Sequence, residues 1–259
     1  MSLDQQTRVS NLPLGPEVRA LVSNSHGLIA LEKPVGVMSH PNSHGEHKRC
    51  LLVADYDYDE GVYIWKSGGS MHRAWLLNRL DSPTSGALLL GLNEEISAIV
   101  KQVFAAHKVQ KTYYALVKRT PLPMNGCWKD ILEKDAYRRA KVTRSGQKSF
   151  ARTYYQVIRE SEGTLPVSLL KLSPVTGRTH QLRIQCKYHQ HPIVGDRTHG
   201  DFSFNRKVFA ATGEKRMMLH SAQTALNYTL HGKQCAFSAE SALPEAFARL
   251  TDSCPNQEK

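Results

Sequence analysis

The sequence is poor in cysteine and has no long apolar run, and both absences narrow the class of protein. Its five cysteines are scattered without any Cys-x-x-Cys spacing, so we expect neither a zinc ribbon nor a disulfide framework. No stretch approaches the roughly 18 to 20 consecutive apolar residues of a membrane-spanning helix, and the N-terminal region has no signal-peptide pattern. We therefore expect a protein of the reducing cytoplasm without a membrane anchor.

Acidic residues are also scarce relative to basic ones. The chain has 34 Lys and Arg against 23 Asp and Glu, which gives a net charge of +11 and an isoelectric point near 9.5. Such a charge favours a polyanionic partner because binding releases counterions. With 259 residues, 41% of them hydrophobic, the chain can bury a full core and is not disordered.

A turn-rich segment from Asn78 to Gly86 presents a single carboxylate. It reads Asn-Arg-Leu-Asp-Ser-Pro-Thr-Ser-Gly, so Asp81 lies two residues after Arg79, where Ser, Pro, Thr and Gly favour a sharp bend of the backbone. Residues 87–92 form an apolar run of strand length, which predicts a strand buried on both faces. That strand would hold the turn rigidly and present Asp81 to a ligand.

A second segment, Thr176 to Arg183, is basic and rich in hydrogen-bond donors. It reads Thr-Gly-Arg-Thr-His-Gln-Leu-Arg. Two arginines, a histidine and several hydroxyl or amide groups are suited to holding phosphate, ribose and a base edge. The two segments together indicate an acid that acts on a nucleic acid.

These segments resemble the signature of the RluA-type pseudouridine synthase family, whose catalytic turn reads Arg-Leu-Asp-x-x-Thr-Ser-Gly. Three more segments match the family in the same order: Lys-Pro-Val-Gly at 33–36, Lys-Thr-Tyr at 111–113 and His-Pro-Ile-Val-Gly-Asp at 191–196. Five ordered matches make coincidence a poor explanation. The turn and the short N-terminus resemble the TruC-like members somewhat more than the ribosomal enzymes that carry an S4 domain.

The resemblance implies an α+β fold with a mainly antiparallel central sheet flanked by helices and loops. It implies a catalytic domain at residues 25–250 and an N-terminal extension at 1–24 that is too short for an S4 domain. The polar C-terminal tail at 251–259 is expected to be frayed.

The function that the resemblance implies is isomerisation of a specific uridine in structured RNA, either transfer or ribosomal RNA. Because the reacting atoms are hidden in stacked RNA, the nucleotide should be flipped into the site. The reaction conserves atoms and electrons, so we expect no cofactor. We also expect a monomer with RNA as its partner and no obligate protein partner.

The resemblance assigns catalysis to Asp81, Tyr113 and Arg183. Asp81 would act as a nucleophile or would stabilise a developing cation at the sugar, and the residues do not decide between these routes. Arg183 would be the cation within about 4–6 Å that keeps the carboxylate charged, and Tyr113 would pack against the base and help to move a proton. The expected substrate-binding residues are Arg79, Leu80, Thr84, Lys111, Arg178 and His180.

Asn78 departs from the family pattern, because many members have His immediately before Arg-Leu-Asp. Asn keeps hydrogen-bonding capacity but cannot become a cation near neutral pH. This leaves open whether activity or substrate choice is altered. The alternative hypothesis is therefore an RNA-binding or RNA-folding factor that has the same fold and impaired catalysis.

The twelve histidines raise the question of a metal site. His40, His44 and His47 are close in sequence, as are His189 and His191. They lie in polar or turn-like sequence without acidic or thiolate partners at ligand spacing, so we expect solvated histidines and no metal. A metal-dependent hydrolase is the weakest alternative.

Local patterns predict the main secondary structure. Asn93 followed by apolar residues at three-and-four spacing predicts an N-capped amphipathic helix up to Phe104. Periodicity leaves 179–188 open between helix and strand, and the resemblance favours a helix. The basic segment 125–149 is expected to be a solvated loop or an RNA-facing flank, with short strands only around Gly146. Strands are predicted at 27–32, 87–92, 111–117, 151–158 and 167–172, with strand fragments or a hairpin within 49–70.

Overall fold

The computed structural model describes residues 11–43, 45–132, 149–161 and 165–252. The helices are α1 Glu94–Ala105, α2 Gln181–Tyr188, α3 Phe202–Thr212 and α4 Glu245–Asp252, with a 3-10 turn at His47–Arg49. The strands are β1 Arg19–Ser23, β2 Leu28–Lys33, β3 Asp55–Asp57, β4 Val62–Ser67, β5 Ser70–Leu76, β6 Ser85–Gly91, β7 Gln110–Lys118, β8 Asn125–Leu132, β9 Ser149–Glu160, β10 Val167–Pro174, β11 Leu219–Leu230 and β12 Lys233–Glu240.

The described chain divides into two compact units. The first contains residues 11–113 and Leu219–Leu243, and the second contains Tyr114–Met218 and residues 244–252. Strand β1 lies inside residues 1–24, which we expected to be an N-terminal extension. Of the expected tail at 251–259, the residues beyond 252 lie outside the described part of the chain. None of the described helices combines the length and the apolar character that a membrane span requires.

The first unit is built on a largely antiparallel sheet. Its strands follow the order β3-β4-β5-β6-β11, β12 pairs with β11, and β2 pairs with both β1 and β6. The pairing of β6 with β11 is parallel, with Ser85 opposite His220 and Gly86 opposite Ser221. The predicted α+β class with a mainly antiparallel sheet is confirmed.

Strand β6 is buried along its whole length, as its apolar run predicts. Successive side chains of a strand point to opposite faces, so Leu88 and Leu90 pack into one hydrophobic cluster while Ala87 and Leu89 pack into another. The strand that immediately follows the Asp81 turn is therefore held from both sides.

Helix α1 confirms the predicted N-capped amphipathic helix. The Asn93 Oδ1 accepts the Ile96 N–H at 3.0 Å, which satisfies one of the backbone donors that a helix start leaves without a partner. Ile96 and Val100 are buried, and Val103 and Phe104 pack against the same cluster. The helix covers one face of β6 and β11.

In the second unit, which contains β7 from Tyr114 onward, the strands follow the order β7-β10-β9-β8. Residues 125–132 form strand β8 in an antiparallel ladder with β9, so our expectation of a solvated loop was wrong for the start of the basic segment. Trp128 of β8 is buried and stacks on Tyr155 at 4.5 Å between ring centroids. The remainder, 133–148, lies outside the described residues.

The histidines do not all point into solvent. His189 stacks on Trp128 with ring centroids 4.8 Å apart, and its Nε2 lies 3.1 Å from a carboxylate oxygen of Asp130. His40 also contacts aromatic rings. His44, the middle member of the sequence cluster, lies outside the described residues.

Gly86 allows the close approach of β6 and β11. Its φ is +115°, and a Cβ added there would lie 2.2 Å from the carbonyl oxygen of Ser221. We predict that Gly86→Ala lowers the free energy of unfolding by about 2–5 kcal/mol, because backbone strain adds to overpacking. Urea unfolding followed by circular dichroism measures this.

Gly68→Ala is the matched control for this prediction. Gly68 also has a positive φ, +57°, but an added Cβ would meet nothing within 4 Å. We expect it to cost only the conformational strain, about 1–2 kcal/mol. Equal losses of stability for the two variants would contradict the close packing at Gly86.

Candidate active site

Asp81 lies in the loop that joins β5 to β6, three residues before Thr84. The Thr84 N–H donates to the Asp81 carbonyl at 2.9 Å, which closes a tight turn. Thr84 is buried, whereas Asp81 is partly exposed. The loop therefore presents the carboxylate at the edge of a buried strand.

The residue before Asp81 is held by a serine from a distant part of the chain. The hydroxyl of Ser39 donates to the Leu80 carbonyl at 2.7 Å and accepts the Leu80 N–H at 3.0 Å. Ser39 is itself fixed because its carbonyl accepts the Tyr63 hydroxyl at 2.7 Å. Leu80, Ser39 and Tyr63 are all buried, so the backbone beside Asp81 has little freedom.

The residue after Asp81 is held by Lys33, whose side chain is fully buried. The Lys33 ammonium donates to the carbonyls of Pro34, Val37 and Ser82 at 3.0, 2.7 and 3.0 Å. Gly36 N–H also donates to the Ser82 carbonyl, and the Ser82 hydroxyl donates to the Gly36 carbonyl. The carbonyl and the hydroxyl of Ser82 thus both bond to the Lys-Pro-Val-Gly turn. These bonds join that turn to the Asp81 turn.

Asn78 fixes the start of the same loop. Its Oδ1 accepts the Leu89 N–H at 2.8 Å, and Leu77 N–H donates to the Leu89 carbonyl at 3.1 Å. The amide thus serves as a neutral acceptor for the backbone of β6. Asn78, which departs from the family pattern, therefore helps to position the loop. This role does not require a positive charge.

Tyr113, on β7, is electrostatically coupled to Asp81. Burial raises the pKa of Tyr113 to about 12, the Asp81 charge acts in the same direction, and a hydrogen bond with Ser221 opposes both. The predicted catalytic residues Asp81 and Tyr113 therefore lie in the same unit, where the charge of Asp81 acts on the phenol of Tyr113.

The expected substrate-binding residues of the first unit differ in exposure. Arg79 is exposed, and its Nη1 lies 3.4 Å from Nε2 of His40. Lys111 is partly buried, and burial lowers its pKa. Leu80 and Thr84 are buried, so they shape the turn from inside.

In the second unit, Gln181 organises the basic segment. Its Oε1 accepts the Thr176 hydroxyl at 2.7 Å and the Arg178 N–H at 3.0 Å. His180 precedes helix α2 with a left-handed φ of 54°, and its Nδ1 lies 3.2 Å from Nε2 of His199. Gln181 and His199 were not predicted from the sequence, because only the folded turn reveals which side chains they orient.

Arg183 forms a buried, two-point ion pair with Asp196. Its Nε and Nη2 donate to the two carboxylate oxygens at 2.7 and 2.9 Å, and the side chains are only 5% and 1% exposed. Burial would raise the pKa of Asp196, but hydrogen bonds from Arg183 and from the His199 and Thr198 N–H groups lower it overall. Asp196 stays charged and fixes the orientation of Arg183.

The predicted site residues fall into two groups. The first unit contains Asp81 and Tyr113 together with Arg79, Leu80, Thr84 and Lys111. The second unit contains Arg183 with Arg178 and His180. Lys33, Ser39 and Asp196 support these residues, and of the three only Lys33 and Asp196 lie in segments that the resemblance had marked.

Comparison with known proteins identifies the family. A family model described as RNA pseudouridylate synthase matches residues 27–188. The tRNA pseudouridine synthase C of Yersinia pestis is 31% identical over 232 residues, which cover 85% of this chain and 85% of that protein. The protein of the same name from Vibrio cholerae serotype O1 is 32% identical over 216 residues, covering 78% of this chain and 83% of that protein.

Solved structures agree on the fold. The structure of Human RNA Pseudouridylate Synthase Domain Containing 4 matches with a TM-score of 0.63 and 23% sequence identity, and the match covers 99% of this chain and 100% of that one. The family match includes the Asp81 turn, Tyr113 and Arg183, so the RluA-type resemblance is confirmed. The chain belongs to the RNA pseudouridylate synthase family and is an isomerase that acts on uridine in RNA.

Proposed function

We propose that this protein converts a specific uridine of a structured RNA into pseudouridine, with Asp81 as the essential residue and with the target nucleotide flipped out of its stack. Relatives that carry the name tRNA pseudouridine synthase C favour a transfer RNA over ribosomal RNA as the substrate. The net charge of +11 suits any polyanionic RNA.

The observation that carries the proposal is the rigid loop that presents Asp81, whose charge acts on Tyr113. Hydrogen bonds hold the residues on both sides of Asp81, from Ser39 to Leu80 and from Lys33 to Ser82. A carboxylate whose backbone is fixed before the substrate arrives needs less reorganisation during the reaction. Asp81 is therefore suited to act on one sugar or base atom with high precision.

The reaction is balanced without any added group. The bond from N1 of the uracil to C1′ of the ribose breaks, and a bond from C5 of the base to the same C1′ forms. The proton on C5 leaves, and N1 gains one. A carboxylate either adds to one of these atoms for a time or stabilises positive charge at C1′, and both routes require Asp81 in its ionised form.

Tyr113 is proposed to contact the base and to take part in the proton transfer. Because its pKa is raised to about 12, its phenol remains protonated at neutral pH and has a proton to donate. Its aromatic face can also hold a base that has left the RNA stack. Both roles suit a side chain on which the Asp81 charge acts.

The remaining residues are proposed to bind the RNA backbone and to support catalysis. Arg183 is the proposed cationic member of the catalytic set, held by Asp196 in a fixed orientation. Arg79, Lys111, Arg178 and His180 are proposed contacts to phosphate or sugar. Leu80 and Thr84 are proposed to shape the turn rather than to touch the RNA, because both are buried.

We predict that Asp81→Asn lowers turnover at least about 1000-fold, because the amide cannot act as an ionised carboxylate. Folding and RNA affinity should remain close to those of the wild type. Pseudouridine formation in unmodified transfer RNA measures turnover, and filter binding measures RNA affinity. The control is Glu240→Gln, which removes one negative charge at an exposed position and should leave turnover unchanged. Near-normal turnover by Asp81→Asn would refute the assignment of Asp81 as the essential residue.

We predict that Tyr113→Phe lowers kcat about 100-fold to 10,000-fold with little change in KM, because the ring remains while the phenolic proton is lost. The wild-type rate should also show no alkaline loss from Tyr113 below about pH 11, since its phenol stays protonated there. Tyr114→Phe, at the next position of β7, is the control and should retain activity. Undiminished turnover by Tyr113→Phe would remove its proposed proton role.

We predict that Asn78→His keeps the turnover and the pH profile of the wild type, because a neutral imidazole nitrogen can also accept the Leu89 N–H. Asn78→Ala should lower the free energy of unfolding by about 1–3 kcal/mol, since it leaves that N–H without its acceptor. Turnover between pH 5 and 8 and urea unfolding test both expectations. A new titration near pH 6.5 in Asn78→His would show instead that the charge at this position matters.

A further inference from the structure

Three aromatic side chains form a right-angled cluster beside the Asp81 loop. His40 and Tyr56 are stacked, with centroids 5.1 Å apart and ring planes 9° apart. Tyr58 is nearly perpendicular to both, at 89° to His40 and 86° to Tyr56, with centroids 6.4 and 5.3 Å away. We call these three residues the aromatic corner.

The aromatic corner is attached to the catalytic loop by direct contacts. His40 follows Ser39, whose hydroxyl makes both hydrogen bonds to Leu80. On the other side, Tyr56 packs against the buried Tyr63, with centroids 4.8 Å apart. The corner thus belongs to the same rigid part of the first unit as the turn that carries Asp81.

Arg79 borders the aromatic corner. Its Nη1 lies 3.4 Å from Nε2 of His40, while Nδ1 of His40 lies 2.9 Å from the Pro41 carbonyl. The carbonyl requires a proton on Nδ1, which leaves Nε2 as the acceptor for Arg79. The Arg79 charge also opposes the rise in the Tyr56 pKa that burial causes, so it lies near both rings.

The corner is partly exposed to solvent. Tyr58 is 45% exposed, and His40 and Tyr56 are partly exposed. An aromatic cluster that begins in the core and ends in solvent keeps rigid apolar surface in water, which is typical of a binding surface. The faces of its rings suit another planar, aromatic group.

The charge near the aromatic corner favours a nucleobase over a phosphate as its ligand. The hairpin that carries Tyr56 and Tyr58 also carries four acidic residues, Asp55, Asp57, Asp59 and Glu60. These would repel a phosphate, whereas a nucleobase is uncharged and stacks on aromatic rings whichever base it is. Arg79 can then contact a base edge or stack on the base.

We propose that the aromatic corner of His40, Tyr56 and Tyr58, bordered by Arg79, binds by stacking an unpaired nucleobase that neighbours the target uridine. The inference rests on the proposed function, because a nucleotide flipped out of an RNA stack leaves its neighbours without a stacking partner. The corner supplies that partner next to Asp81. It thereby favours a target in a loop, where neighbouring bases are unpaired.

The binding test uses a short single-stranded oligouridylate with one central 2-aminopurine, whose fluorescence is quenched by stacking. Tyr58→Ala should raise the Kd about 5-fold to 150-fold and lose most of the quenching. Tyr58→Phe, which keeps the ring, should restore both. Tyr188→Ala is the control, because Tyr188 is a 69% exposed tyrosine of the second unit, and it should bind as the wild type does.

The proposal is overturned if Tyr58→Ala binds and quenches as Tyr188→Ala does, or if the wild type fails to quench the probe. Circular dichroism verifies that the variants are folded. Kinetics with transfer RNA add a second criterion: Tyr58→Ala should raise KM with little change in kcat, since stacking of a neighbouring base contributes to binding alike before and during the reaction. Absence of pseudouridine with the wild type would instead overturn the proposed function, because probe binding requires no turnover.

Discussion

The buried ammonium group of Lys33 is the interaction on which the site depends most. Its bonds to three carbonyls join a turn near the start of the sheet to the turn that carries Asp81. Removing an ammonium from water is costly, and in such a position it is stable only with polar partners at hydrogen-bond distance. Because one of those partners is Ser82, the bonds that satisfy the buried ammonium also fix the backbone next to Asp81, the proposed catalytic carboxylate.

Three consecutive residues of that loop have three different tasks. Leu80 is buried and bonded to Ser39, Asp81 is partly exposed and coupled to Tyr113, and Arg79 is exposed beside the aromatic corner. The buried leucine sets the direction of its two neighbours. A displacement of Leu80 would therefore disturb the carboxylate and the proposed base-stacking surface together.

Local sequence patterns predicted the elements whose signal is local. The apolar run of β6 and the Asn93 cap of α1 are such signals, because each depends on neighbouring residues. Strands β11 and β12 were not predicted, because they contain polar residues that are nevertheless buried. His220 is an example: it is fully buried and lies 2.8 Å from the Ser85 hydroxyl and 3.1 Å from that of Ser241. The resemblance assigned catalytic roles to Asp81, Tyr113 and Arg183, which remain predictions. The contacts from Lys33 to Ser82 and from Ser39 to Leu80 join residues far apart in sequence. No periodic pattern reports such contacts.

The most direct test of the central claim is a pseudouridine map of transfer RNA from cells that lack this protein, complemented with either the wild type or Asp81→Asn. We predict that one uridine in a loop remains unmodified in the deletion strain, that the wild type restores its pseudouridine, and that Asp81→Asn does not. Restoration of the modification by Asp81→Asn, or a map that the deletion leaves unchanged in every cellular RNA, would contradict the account.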